Sequence, residues 1–212
     1  MIITVFGATG QVGKRVVTQA LGKGYTVKAF GRNIDNLIDK ENRHNNLIAI
    51  KGYVFDATEV FNAIKGSDAI ISTLGGSFDG SDRTRSLGLK NITHGMTTAG
   101  VKRIVALGGM GVLNANEKSL IIDSPEYPQM FFPVGKEHQQ AFHNLEASGL
   151  DWTFVCPPDI LDEDATGKYI TNADYPPTPN FYKIAAGDLA LFMLNEIVAN
   201  QFIHHRVGIS KL

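Results

Sequence analysis

The chain opens Ile2-Ile3-Thr4-Val5-Phe6-Gly7-Ala8-Thr9-Gly10-Gln11-Val12-Gly13, an apolar, β-branched run broken by three glycines at three-residue spacing. Such a run reads as a buried strand, a tight turn and the opening of a helix. Val12, Val16, Val17, Ala20 and Leu21 recur at helical spacing and place one apolar face against a sheet, and Gly22 and Gly24 close the helix. A strand feeding a glycine turn into a helix offers free backbone N–H groups and the positive end of the helix dipole, which suits a pyrophosphate. In that reading Gly7 permits the turn and Gly10 lets a phosphate approach the backbone of Ala8, Thr9, Gln11 and Val12. Gly13 lets helix and strand pack closely.

A mononucleotide P-loop is excluded by the letters. That motif needs four residues between its glycines and a Ser or Thr after the Lys. Here five residues separate Gly7 from Gly13, and Arg15 follows Lys14. The spacing also departs from the commonest G-x-G-x-x-G dinucleotide fingerprint, so the weight rests on context: a strand before the glycines, a helix after them and a second strand closing a βαβ unit.

That second strand, Thr26 to Phe30, ends at Gly31-Arg32-Asn33. A carboxylate at this point binds a ribose 2′-hydroxyl, and an arginine favours a 2′-phosphate. Arg32 stands there without a carboxylate, which predicts NADP(H) in preference to NAD(H). A third strand spans Leu47 to Val54, and Asp56-x-x-Glu59 reads as a capping signature for a helix with Val60, Ala63 and Ile64 on its apolar face. Asp68 to Leu74 is a continuously apolar fourth strand, followed by Gly75-Gly76, and a helix over Thr84 to Ala99 leads to a fifth strand, Arg103 to Leu107. Gly108-Gly109-Met110-Gly111 follows it. Glycines at the carboxyl ends of strands one, four and five gather on the sheet edge where open α/β folds bind ligands.

Two irregular stretches, about 108–134 and 157–183, read as substrate-side elements. The first carries Tyr127, Phe131, Phe132 and three prolines; the second follows a sixth strand, Trp152 to Cys156, that ends at Pro157-Pro158. A helix over Lys136 to Ala147 separates them. A last helix has Asp188 near its N-cap, and Arg206 to Ser210 forms a final strand. Strand alternating with helix predicts a Rossmann-like, doubly wound, mostly parallel sheet with helices on both faces, in a single domain over residues 1–212.

Composition narrows the class. Lys+Arg 20 against Asp+Glu 21, with no basic block, argues against nucleic acid or an anionic membrane as a partner. The single cysteine, Cys156, excludes a disulfide framework, and the six histidines lack metal-binding spacing, so no metal is expected. Without a leader or a long apolar run the chain is read as cytoplasmic, and a monomer or weak homodimer is the expected state.

The GATGxxG opening, Gly31-Arg32, Gly66-Ser67-Asp68-Ala69-Ile70-Ile71 and Ser148-Gly149-Leu150-Asp151-Trp152-Thr153 resemble the atypical short-chain dehydrogenase/reductases. Gly10-Gln11-x-Gly13, Leu74-Gly75, Pro157-Pro158-x-Ile160, Thr166-Gly167-x-Tyr169 and Asp188-Leu189-x-x-Phe192-Met193-Leu194 look most like the biliverdin reductase B/NADPH-flavin reductase group, with NmrA-like proteins close by. The likeness spans nearly the whole chain. It implies that Gly7 to Gly13, Arg32, Val54, Leu74, Gly75 and Gly76 hold the cofactor.

Three departures from the family pattern carry information. Typical members have a Tyr-x-x-x-Lys pair and a Ser after strand five, but no tyrosine here is followed four residues later by lysine. By distance to Ser148-Gly149, Val134 stands where the Tyr would be and His138 where the Lys would be, while Gly109 replaces the Ser. Tyr53 occupies a position where many members place an Asp against adenine, leaving that contact to Val54. Reducing a ketone creates an alkoxide that needs a positioned acid. A flavin takes hydride on a ring nitrogen and its proton from water, so the missing pair favours a flavin or similar delocalised acceptor as substrate. His138 is the candidate acid, and Gly109, Met110, Tyr127, Pro158 and Asp159 are the candidate pocket residues. The alternative is an NmrA-like sensor that binds NAD(P) and signals its redox state without turnover.

Overall fold

The computed structural model describes residues 1–37 and 44–212. Its strands are β1 (Ile2–Phe6), β2 (Thr26–Gly31), β3 (Leu47–Lys51), β4 (Ala69–Ser72), β5 (Arg103–Leu107), β6 (Asn114–Asn116), β7 (Ser119–Leu120), β8 (Asp151–Cys156), β9 (Asp159–Leu161), β10 (Tyr169–Ala173), β11 (Lys183–Ala185) and β12 (His205–Lys211). Five α-helices accompany them: α1 (Gln11–Gly22), α2 (Ala57–Ile64), α3 (Thr84–Ala99), α4 (Phe132–Glu146) and α5 (Ala186–Ala199).

An eight-stranded sheet has the order β10-β12-β8-β5-β4-β1-β2-β3. Every pair in it is parallel except β10 with β12. Alternation along each central strand divides the core in two. Ile3, Val5, Ile71, Val105 and Val155 pack on the side of α1 and α5. Phe6, Ile70, Ile104, Ala106 and Phe154 pack on the side of α2, α3 and α4. The chain is thus a doubly wound Rossmann-like fold, and both faces of β1, β4, β5 and β8 are buried, which is why these strands are mostly apolar, with polar exceptions such as Thr4, Arg103 and Thr153 themselves buried.

Several element boundaries differ from the sequence reading. Helix α4 starts at Phe132, because Pro133 sits in its first turn, where a missing N–H costs nothing. Asp188 lies near the N-cap as read, in the first turn of α5 after the cap residue Ala185, and its buried carboxylate accepts from the N–H groups of Thr166 and Gly167, both at 2.7 Å. Asp56 does cap α2, accepting from Thr58 and Glu59 N–H. Glu59, however, reaches back to Tyr53 N–H at 2.7 Å and not to the cap residue. The two irregular stretches hold short strands, with β9 paired parallel to β11 and β6 antiparallel to β7. No helix among the described residues is long and apolar enough to cross a membrane.

Candidate active site

At the carboxyl ends of β1, β2, β3 and β4 lies a cleft of about 400 Å³. Gly7, Thr9, Gly10 and Arg32 line it, as do Val54, Leu74 and Gly75. The glycine turn is set by contact as much as by conformation. Gly7 has φ +76°, and a Cβ on it would lie 2.7 Å from the Thr73 carbonyl oxygen; one on Gly13 would lie 2.1 Å from the Gly7 oxygen. Thr73 ties the turn down, its hydroxyl donating to the Phe6 and Gly7 carbonyls at 3.0 and 3.2 Å.

The side chains of Ala8 and Val12 are in the core, and Gln11 faces solvent. Neither these three residues nor Gly13 lines the cleft, whose glycine-turn lining is Gly7, Thr9 and Gly10. No side chain caps α1 and no acidic residue stands in its first turn, so its positive end is open toward the cleft. The arrangement therefore fits a dinucleotide pyrophosphate. Gly76 does not line the cleft; its Cα faces Asp82, whose carboxylate a Cβ would meet at 2.6 Å.

Sequence reasoning missed Thr73, Phe30, Gly52, Asp82 and Thr84 as parts of this cleft. The Thr73 hydroxyl has no periodic signature, and Gly52 matters because a Cβ there would strike the Phe30 ring at 2.4 Å. Val54 is held from behind by Asn91, which donates to its carbonyl at 3.0 Å.

A second pocket, about 570 Å³, lies over the carboxyl ends of β5 and β8. It brings together Gly109, Met110, Tyr127, His138, Pro158 and Asp159, all foreseen for the substrate side. Val134 and His138, one helical turn apart on α4, both face it. The glycines after β5 make room for rings of the protein itself. A Cβ on Gly108 would meet Phe154 at 2.5 Å, one on Gly109 would meet His138 at 2.7 Å, and one on Gly111 the Tyr127 hydroxyl at 2.8 Å.

His138 is pushed down to about 3 by burial, with the nearby Arg85 cation adding to the effect. Its Nδ1 is shut off from solvent and has no hydrogen-bond partner. The imidazole is neutral at physiological pH, so it holds no acidic proton of the imidazolium kind there, contrary to the acid role its ordinary titration suggests. Burial also raises the Tyr127 phenol above its usual range. Cys156 is buried and its thiol is pushed far up by desolvation, leaving it a packing residue.

The lid of this pocket comes from the segment after β4, also missed in the sequence. Arg85 donates to the carbonyls of Ser77 and Gly76 at 3.0 and 3.1 Å, and Phe78 meets Phe131 edge-on with centroids 5.4 Å apart. Glu137 on α4 accepts from the Ser86 hydroxyl at 2.9 Å and joins α4 to α3. Thr84 and Arg85 are consecutive, yet one lines the cleft and the other the pocket, so the two cavities are neighbours across the start of α3.

A parallel doubly wound sheet with a glycine cradle at the first strand and an aromatic pocket beside it defines a Rossmann-like dinucleotide-binding protein. The chain belongs to the NAD(P)H-binding family, whose profile matches residues 7–200. Its solved neighbours agree in fold over the full length. A candidate NADH-flavin reductase from Streptococcus pneumoniae TIGR4 superposes with a TM-score of 0.84 at 26% identity, covering 100% of both chains. A candidate epimerase from Bacteroides thetaiotaomicron reaches 0.85 at 28% identity over 100% of this chain and 97% of that one. An NmrA-like family domain-containing oxidoreductase from Aspergillus japonicus is 32% identical over 113 residues, 51% of this chain and 34% of its own length.

Proposed function

We propose that the protein is an NADPH-dependent oxidoreductase that delivers hydride to a flavin or similar delocalised acceptor held in the pocket over β5 and β8. The observation that carries this reading is the pair on α4: Val134 and a neutral His138 line the pocket where a Tyr–Lys pair would protonate an alkoxide. An acceptor whose reduced form draws its proton from water has no need of that pair. A reduced nicotinamide bound here supplies two electrons and one hydrogen as hydride, is itself oxidised, and leaves the acceptor to take one proton from solvent. The chain's own contribution is alignment and shelter: Gly7 to Gly13 seat the pyrophosphate, and Phe78, Phe131 and Tyr127 wall the acceptor ring. Arg32, exposed at the end of β2 and lining the cleft, is the group that would meet a 2′-phosphate.

The test is anaerobic bleaching of riboflavin by NADPH with the purified protein. Bleaching proportional to protein is the expected result. Arg32→Ala should raise the KM for NADPH by roughly tenfold or more, the scale of one charged hydrogen bond, and leave that for NADH nearly unchanged. Tight NADPH binding without any bleaching would overturn the reductase reading in favour of an NmrA-like redox sensor, which the missing Ser, Tyr and Lys also suit.

A further inference from the structure

The pocket over β5 and β8 is apolar in its walls and carries two carboxylates against one guanidinium. Met110, Tyr127, Phe131 and Pro158 form the walls, while Phe78 and Tyr182 at the mouth are 53% and 60% exposed, leaving apolar faces for a ring to cover. Its charged side chains are Arg85, Glu126 and Asp159, and no lysine lines it. Arg85 is the one cation of the lining; its terminal nitrogens each donate to a backbone carbonyl, of Ser77 and Gly76, and the nearby carboxylates of Asp82 and Glu137 offset its charge. The neutral His138 contributes no charge to the pocket. Glu126 accepts from the Ser124 hydroxyl, a contact that holds its carboxyl below the usual range and therefore ionised. Asp159, exposed at the first residue of β9, adds a second negative group.

We infer that this pocket takes an uncharged planar aromatic acceptor, a phosphate-free isoalloxazine or a quinone, and discriminates against acceptors that carry a phosphate. The inference rests on the reductase reading and narrows its substrate class. A phosphomonoester brings nearly two negative charges at neutral pH, and placing it near Glu126 and Asp159, with Arg85 already offset by Asp82 and Glu137, is repulsive. The acceptor gains a hydride from the reduced nicotinamide, which is oxidised, and a proton from water, so the selection concerns only charge and shape. Because Glu126 and Asp159 stand at the exposed rim, the repulsion is subject to screening by salt.

The experiment compares riboflavin with FMN, which differ by the phosphate alone, by kcat/KM with NADPH and in parallel by quenching of flavin fluorescence on binding. An uncharged benzoquinone serves as a third acceptor. At low ionic strength riboflavin should be preferred to FMN by about tenfold, and the benzoquinone should be reduced. The preference should shrink several-fold at high ionic strength, and likewise in the Glu126→Gln/Asp159→Asn double variant. Each ratio is taken within one protein sample, so a general loss of activity in the variant cancels. Equal or better use of FMN at low ionic strength overturns the inference while leaving the reductase reading intact. Tighter binding of riboflavin without turnover of any acceptor supports the charge selection and overturns the reductase reading instead.

Discussion

Gly109 and His138 show how a single missing side chain shapes a site. The imidazole occupies the space a Cβ would need, and burial there disfavours its charged form. The consequence for stability follows from proton linkage. Unfolded, the imidazole titrates near 6.5; folded, near 3, so the folded chain binds fewer protons between these values. This group therefore costs nothing above pH 6.5 and destabilises progressively as the pH falls through the window. At pH 4.5 the penalty is roughly 3 kcal/mol. His138→Gln should accordingly lose less stability than the parent between pH 7.5 and 4.5, as read by urea midpoints at both values; parallel pH profiles for the two proteins would contradict the burial penalty. At this scale the sequence is a partial guide. It names His138 and Gly109 as pocket residues, but the use of Gly108, Gly109 and Gly111 to admit the protein's own rings depends on which rings the fold delivers there.

At the scale of elements, the join between β5 and α5 is a buried ion pair. Arg103 donates to Glu196 Oε1 at 2.8 Å, with the two side chains 10% and 2% exposed. Thr153 on β8 accepts from Arg103 at 2.9 Å, and Glu196 also accepts from the N–H of Phe202 at 2.9 Å. Removing one partner leaves an uncompensated buried charge, so Arg103→Met should cost about 3–5 kcal/mol. The Arg103→Met/Glu196→Met double variant should recover a substantial part of that, because two apolar groups leave no lone charge. Chemical denaturation of the single and double variants checks this, and additive losses would refute it. The long elements were legible because β1, β4 and β5 are mostly apolar and α1 and α3 have glycines at their ends. The short strands β9, β10 and β11 were not: each is three to five residues with no alternation, and each owes its existence to a partner distant in sequence. The true role of Asp188 was hidden for the same reason, since its partners lie about twenty residues earlier, at Thr166 and Gly167.

For the whole molecule, cofactor binding and folding are linked. A ligand that binds only the folded chain at a hundred times its Kd adds about 2.7 kcal/mol, which for a domain of this size raises Tm by roughly 5 to 10 °C. NADPH should produce such a shift in a thermal melt, and Gly13→Ala should abolish it, since the added methyl would lie 2.1 Å from the Gly7 oxygen. A full shift in that variant would place the dinucleotide elsewhere. The sequence by itself determined the doubly wound class and the glycine turn after β1, because both are written in contiguous letters: a parallel strand buried on both faces is mostly apolar, and a turn this tightly packed needs glycine. Only the tertiary structure decided the pocket over β5 and β8. Its walls come from the segment after β4, from residues 109–138, from Pro157 to Asp159 and from Tyr182, which meet only because the crossovers lay them over the ends of β5 and β8. Its charge balance was decided there too, because the state of His138 and the engagement of Arg85 depend on burial and partners that no local stretch of chain encodes.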